Sequence, residues 1–161
     1  DAGSSTGGFT DCLLQRGAAR VHAYDVGTNQ LAWKLRSDPR VVSREGFNLR
    51  HLQPSDLPGP VDLVVMDLSF ISLTLVLGPV FGVLRPEGDL VCLIKPQFEL
   101  RKEQIGKGGI VRDPALHEEA VDKIRTFATG TLGKCWQGLI PSPISGTDGN
   151  TEFLAWLRHP E

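Results

Sequence analysis

The sequence predicts an α/β fold built on a doubly wound, mostly parallel sheet, and three observations predict it. Strand-like apolar runs alternate with helix-like segments along the chain. Two of those runs, 61–67 (VDLVVMD) and 89–95 (DLVCLIK), are almost continuously apolar, the pattern of parallel strands covered on both faces. The chain also opens on a glycine-rich turn, Asp1-Ala2-Gly3-Ser4-Ser5-Thr6-Gly7-Gly8, of the kind that joins a strand to the start of a helix. The strand that should lead into this turn would lie before Asp1. The expected domain therefore spans residues 1–161 with its first strand truncated.

The elements follow in order. Phe9, Leu13 and Leu14 share one side of a short helix that Gly17 closes. Residues 19–25 (ARVHAYD) read as a strand ending in a carboxylate, and 29–35 as a short helix stopped by Ser37-Asp38-Pro39. A short strand is expected at 41–43, then the buried strand 61–67. Residues 73–84 read as a helix kinked at Pro79, and Pro86-Glu87-Gly88 as a turn before the strand 89–95. Asp113-Pro114 begins another helix, Asp as its N-cap and Pro at its first position, and Gly130 ends it. Residues 134–140 and 151–157 are the last two strands. No helix separates them, so they are expected to pair antiparallel at one edge.

Composition narrows the function classes. A formal net charge of -2 argues against a strongly basic nucleic-acid module, while leaving room for a local basic face. Cys12, Cys92 and Cys135 are odd in number and form no CxxC, as expected for reduced thiols in a cytoplasmic protein. The apolar stretch 71–84 is broken by Thr74, Gly78, Pro79 and Gly82 and is too short to span a bilayer. The four histidines show no metal-binding spacing, so no metal site is expected.

Ligands of open α/β sheets sit beyond the carboxyl ends of the strands. Three expected strands end in Asp25, Asp67 and Lys95, which the topology brings to one rim. Asp25 lies 22 residues after Gly3, the spacing at which a carboxylate reaches the ribose of a bound nucleoside. Gly3-x-x-x-Gly7-Gly8 matches neither GxGxxG nor GxxxxGK[ST]. It disfavours a nicotinamide dinucleotide or a nucleoside triphosphate and suits S-adenosylmethionine, an adenosine without phosphate. Asp67 also fits a simple cap on the following helix. Lys95 closes an apolar strand at the ligand rim, and Pro96 turns the chain away after it. Gly106-Lys107-Gly108-Gly109, with Arg112 beyond, suits phosphate contact or a lid and equally a solvated loop. Glu152 stands at the start of the last strand.

The segments DAGSSTGGFTD, DVGTNQLAWKLR, VDLVVMDLSFISL, LIKPQFE, GKGGIVRDPALHEE and GNTEFL occur in this order. Together they resemble the TlyA (hemolysin A-like) family of rRNA 2′-O-methyltransferases, related to the FtsJ/RrmJ group, over nearly the whole chain. The resemblance implies a Rossmann-like S-adenosylmethionine-dependent domain, preceded in the family by a small S4 RNA-binding domain that residues 1–161 do not contain. It implies a Lys-Asp-Lys-Glu tetrad, of which Asp67, Lys95 and Glu152 match the last three members. The first lysine lies upstream of the glycine turn in the family. It implies cofactor contacts from Gly3, Ser5, Gly7, Gly8 and Phe9, from Asp25 at the ribose, from Asn48 near the adenine, and from Asp67. The implied partner is ribosomal RNA or a ribosomal subunit, held mainly through the S4 domain, with no membrane partner. Two other readings compete: a membrane-active hemolysin, and a truncated, inactive RNA- or nucleoside-binding module.

Overall fold

The computed structural model describes residues 1–161. Six strands form the sheet: β1 (Val21–Tyr24), β2 (Val41–Arg44), β3 (Val61–Met66), β4 (Leu84–Ile94), β5 (Cys135–Pro141) and β6 (Phe153–Arg158). β1 pairs with β2 in parallel, and β3 with β4 in parallel. β6 lies between β4 and β5 and runs antiparallel to both. The antiparallel pairing expected of the last two strands is present, with β5 outermost.

Ala2 alone joins the two halves of the sheet. It forms parallel bridges to Tyr24 of β1 and Met66 of β3. Its N–H donates to Val65 O at 2.8 Å, and its carbonyl accepts from Asp67 N at 2.9 Å. On the other side Gly3 N donates to Tyr24 O at 2.8 Å, and Tyr24 N to Asp1 O at 3.0 Å. Beside Ala2 a cavity of about 540 Å³ runs between β1 and β3, lined by Val21, His22, Val61 and Leu63 among others. It occupies the place where neighbouring strands of a continuous sheet would pair.

Five helices surround the sheet: α1 (Gly8–Gln15), α2 (Trp33–Arg36), α3 (Leu77–Val83), α4 (Pro96–Glu99) and α5 (Pro114–Thr126). Leu14, Leu31 and Leu35 pack on Val21 and Ala23, which puts α1 and α2 on one face of β1. Val80 and Phe81 of α3, with Val121 and Ile124 of α5, join Met66, Leu90, Ile94 and Leu157 in the main core on the other face. Alternation along the strands turns Leu63 and Trp156 away from that core, and both are exposed.

The sequence expectations differ from the structure at four places. The helix expected over 29–35 is only α2. Asn29 adopts a left-handed φ of 55°, and Ala32 N donates to Thr6 O at 3.0 Å, so this backbone serves the glycine turn. The helix expected to kink at Pro79 breaks earlier, into a 3₁₀ turn at Leu73–Leu75 followed by α3. Pro79 falls in the first turn of α3, where a missing N–H costs nothing. The Pro86-Glu87-Gly88 turn lies inside the span of β4, as an irregularity where pairing jumps from Val61–Leu84 to Leu63–Asp89. Gly130 does not end α5, which runs on through a π turn at Phe127–Thr131 to Gly133 at φ 62°.

Cys92, wholly buried on β4, has its thiol pushed up to about 12 by burial, with the charge of Glu99 adding to the effect. The unfolded value is 9.0, so folding keeps this thiol protonated while the unfolded chain ionises. Its stabilising contribution is complete below pH 9 and lost as pH rises towards 12. Urea titrations across that range should show a steeper loss of stability for the wild type than for Cys92→Ala. Identical slopes would contradict this.

Candidate active site

The site lies at the carboxyl ends of β1, β3 and β4, around a cavity of about 610 Å³. Gly3, Ser5, Asp25, Asn48, Asp67 and Lys95 all line it. The three strand-terminal residues expected on one rim are thus brought together.

The floor is the glycine turn. Gly3 has φ 86°, and a Cβ there would stand 2.2 Å from Asp67 O and 2.8 Å from Leu68 Cδ2. Only glycine allows the turn to lie against β3. Asp25 closes the turn from the other side. Its Oδ2 accepts from Ser5 N at 2.7 Å and its Oδ1 from Gly27 N at 2.7 Å. Two backbone donors fix the carboxylate at the cavity wall and leave lone pairs for hydroxyl donors. Asn48 Oδ1 accepts from Arg50 N at 3.1 Å, which holds the side chain at the start of a 3₁₀ turn. Phe47 beside it also lines the cavity and carries the Arg44 guanidinium over its ring, 4.1 Å from the centroid.

The expected cofactor contacts Gly7, Gly8 and Phe9 do not line this cavity. Gly7 lies under α2, where a Cβ would meet Leu35 Cδ1 at 2.2 Å, so its conformation (φ 103°) serves helix packing. Gly8 opens α1 with nothing within 4 Å of its Cβ position. Phe9 is half-buried on α1.

The far end of the cavity holds an ion pair. Lys95 Nζ lies 2.6 Å from Asp67 Oδ1 and donates to Ser69 Oγ at 3.1 Å; its side chain is 11% exposed. Glu152, at the approach to β6, is buried without lining the cavity. Burial pushes its carboxyl above the ordinary carboxylate range. The Lys95 ammonium opposes that shift, and Asp67 adds to it. Lys95 is thus paired with Asp67 at the end of β3, and its charge also reaches Glu152 at the approach to β6.

Two features escape sequence reasoning. Phe70 is 89% exposed at the cavity mouth, has φ 63°, and packs on Phe98 with ring centroids 5.0 Å apart. Nothing in the sequence distinguishes it from a core phenylalanine. Asn150 is completely buried. Its Oδ1 accepts from Val111 N at 2.9 Å and its Nδ2 donates to Gly109 O at 2.9 Å. The exposed glycine-rich basic loop is thereby tied, through Gly109, to the turn that leads to Glu152.

A family model described as FtsJ-like methyltransferase matches residues 1–159. The chain belongs to that family. Within it, the chain is 52% identical over 158 residues to the 16S/23S rRNA (cytidine-2′-O)-methyltransferase TlyA of Mycobacterium tuberculosis, covering 98% of this chain and 59% of that protein. It is 44% identical over 160 residues to Hemolysin A of Brachyspira hyodysenteriae, covering 96% of this chain and 65% of that protein. The chain thus spans about three fifths of the curated relatives it matches. A crystal structure of a candidate hemolysin from Lactococcus lactis superposes with a TM-score of 0.94 at 52% identity, over 98% of this chain and 75% of that one. The N-methyltransferase NodS of Bradyrhizobium japonicum, crystallised with S-adenosyl-L-homocysteine, shares the fold alone. It superposes with a TM-score of 0.67 at 15% identity, over 99% of this chain and 76% of that one.

The contact at Gly3 yields a test of this FtsJ-like floor. Gly3→Ala forces a Cβ into the Asp67 backbone, so it should abolish S-adenosylmethionine binding in a calorimetric titration. Gly8→Ala, which meets open space, should bind within a few-fold of the wild type. Equal affinity in all three proteins would refute the assignment of the floor.

Proposed function

We propose that this chain is the catalytic domain of an S-adenosylmethionine-dependent rRNA ribose 2′-O-methyltransferase. The single observation that carries the reading is the Asp67–Lys95 pair, with Glu152 behind it, standing beside the nucleoside-shaped floor. The residues fit the cofactor. Gly3 clears the space that a Cβ would fill, Asp25 is fixed where ribose hydroxyls can donate to it, and Asn48 with Phe47 offers an amide and a ring to an adenine. When bound, S-adenosylmethionine supplies the transferable methyl group on its sulfonium.

The protein's contribution is charge and position. A ribose hydroxyl is a weak nucleophile near neutral pH, and negative charge grows on its oxygen as its proton passes to solvent water. Lys95 meets that charge with its ammonium, in a site where its side chain is largely screened from water. Asp67 and Ser69 hold the ammonium in place by direct contacts, and Glu152 balances its charge from the other side. Phe70 presents its ring at the mouth, which suits stacking on an unpaired base. The name and high identity of the M. tuberculosis relative support ribosomal RNA as substrate. The cavity beside Ala2 suits a strand contributed by sequence N-terminal to Asp1, and the part of the relatives that lies outside the match leaves room for an RNA-binding domain. The hemolysin reading rests on the names of relatives alone, and no helix here is long and apolar enough to cross a membrane.

In the full-length protein, Lys95→Ala should lower methyl incorporation into ribosomal RNA by at least about 10³-fold while S-adenosylmethionine still binds. Incorporation near the wild-type rate would overturn the role of Lys95. Phe70→Ala should instead raise KM for RNA several-fold and leave cofactor affinity unchanged; an unaltered KM would remove the ring from substrate recognition.

A further inference from the structure

Glu99 is a buried carboxylate that the chemistry above does not use. Its side chain is 1% exposed, yet it sits four residues after Lys95, at the end of α4. Three donors converge on it. Ser72 Oγ donates to Oε2 at 2.6 Å, Leu73 N to Oε1 at 2.8 Å, and Lys123 Nζ to Oε2 at 3.1 Å. Lys123, reaching over from α5, also donates to the Glu99 carbonyl at 2.6 Å. A buried carboxylate with this many charge-assisted bonds is firmly placed.

What Glu99 joins gives it a function. Ser72 and Leu73 end the loop that begins at Asp67, and Glu99 ends the segment that begins at Lys95. The two segments are cross-linked at their start by the Asp67–Lys95 pair and the Ser69–Lys95 bond, and at their end by Glu99. Phe70 lies between these anchors, with its backbone in the left-handed region at φ 63°. A bulky residue holds that conformation only when its surroundings over-determine it. Phe98, on the Glu99 side of the ladder, supplies the ring on which Phe70 rests.

We propose that Glu99 is a positioning residue for methyl transfer. Anchored by Lys123, it clamps the Asp67–Leu73 loop onto α4, so that the strained Phe70 ring and the Lys95 ammonium face the substrate in fixed relation. This deepens the methyltransferase reading and rests on it. The cofactor floor is held independently, by the Gly3 contact and the two backbone bonds to Asp25. The clamp therefore governs turnover, with little influence on cofactor affinity.

The test is Glu99→Gln in the full-length protein. The amide keeps the shape and can still accept from Leu73 N, but it loses the charge that gathers Ser72 and Lys123. Expected are a fall in kcat for ribosomal RNA of up to about 100-fold, unchanged S-adenosylmethionine affinity by calorimetry, and loss of the Phe70–Phe98 ring contacts in NMR spectra with labelled phenylalanine. Ser72→Ala removes one arm of the clamp from a half-buried position and should shift kcat and the ring contacts the same way by less, which covers failure of Glu99→Gln to fold. A kcat within twofold of wild type, or ring contacts preserved in both variants, would overturn the clamp. An inactive wild type would sink the methyltransferase reading instead, and the ring contacts would still decide whether Glu99 holds the loop.

Discussion

The backbone of Ala2 and Gly3 is the constraint on which the rest of the structure depends. Together with the Asp1 carbonyl, these two residues carry the hydrogen bonds that link the β1–β2 pair to the four strands that begin with β3. Asp25 belongs to the first group, and Asp67 and Lys95 to the second. The distance from Asp25 to the Asp67–Lys95 ion pair is therefore set by one short crossing. The absence of a side chain at Gly3 lets that crossing press against the Asp67 carbonyl. Strand pairing, turn conformation and site geometry are here the same few bonds.

Charge is arranged around this crossing with economy. One lysine serves two acids that arrive from different strands, and a second buried acid, Glu99, is served by a lysine from α5. Breaking the Lys123–Glu99 pair leaves a buried carboxylate short of partners, a costly state in a low-dielectric interior. The two pairs also differ in exposure. Lys95 is nearly buried, as the proposed role on a substrate requires. Lys123 is 41% exposed, as suits a strut. The pairs meet across the loop that carries Phe70, so reactive and supporting charges share one wall.

Much of this was legible in the sequence, and the reasons divide cleanly. The parallel strands announced themselves because their largely buried stretches, 64–66 and 90–94, are apolar throughout and run up to Asp67 and Lys95. Asp113-Pro114 marked a helix start because capping and the fixed φ of proline are local effects, and Asp113 Oδ1 does accept from Ala115 N at 2.9 Å. Non-local effects stayed hidden. The break before α3 and the shortening of α2 depend on bonds to distant residues, such as Ala32 to Thr6. Gly7 looked like part of a ligand floor because a glycine required by leucine packing and one required by a ligand are written with the same letter. The exposure of Phe70 follows from a backbone angle imposed by its neighbours, which composition cannot express.

The placement of β6 between β4 and β5 bears on when the site comes into being. Residues 89–94 find their partners at 153–158, so the inner edge of β4 stays open until residues 153–158 exist. Pairings of such long sequence separation form slowly and late. A polypeptide emerging from N to C terminus would assemble the nucleoside floor and the Asp67–Lys95 pair while β4 still presents a bare edge and Glu152 is yet to arrive. Binding surface comes first and the complete charge triad last. The strand that completes the sheet also delivers the last acid, so an unfinished chain lacks both together.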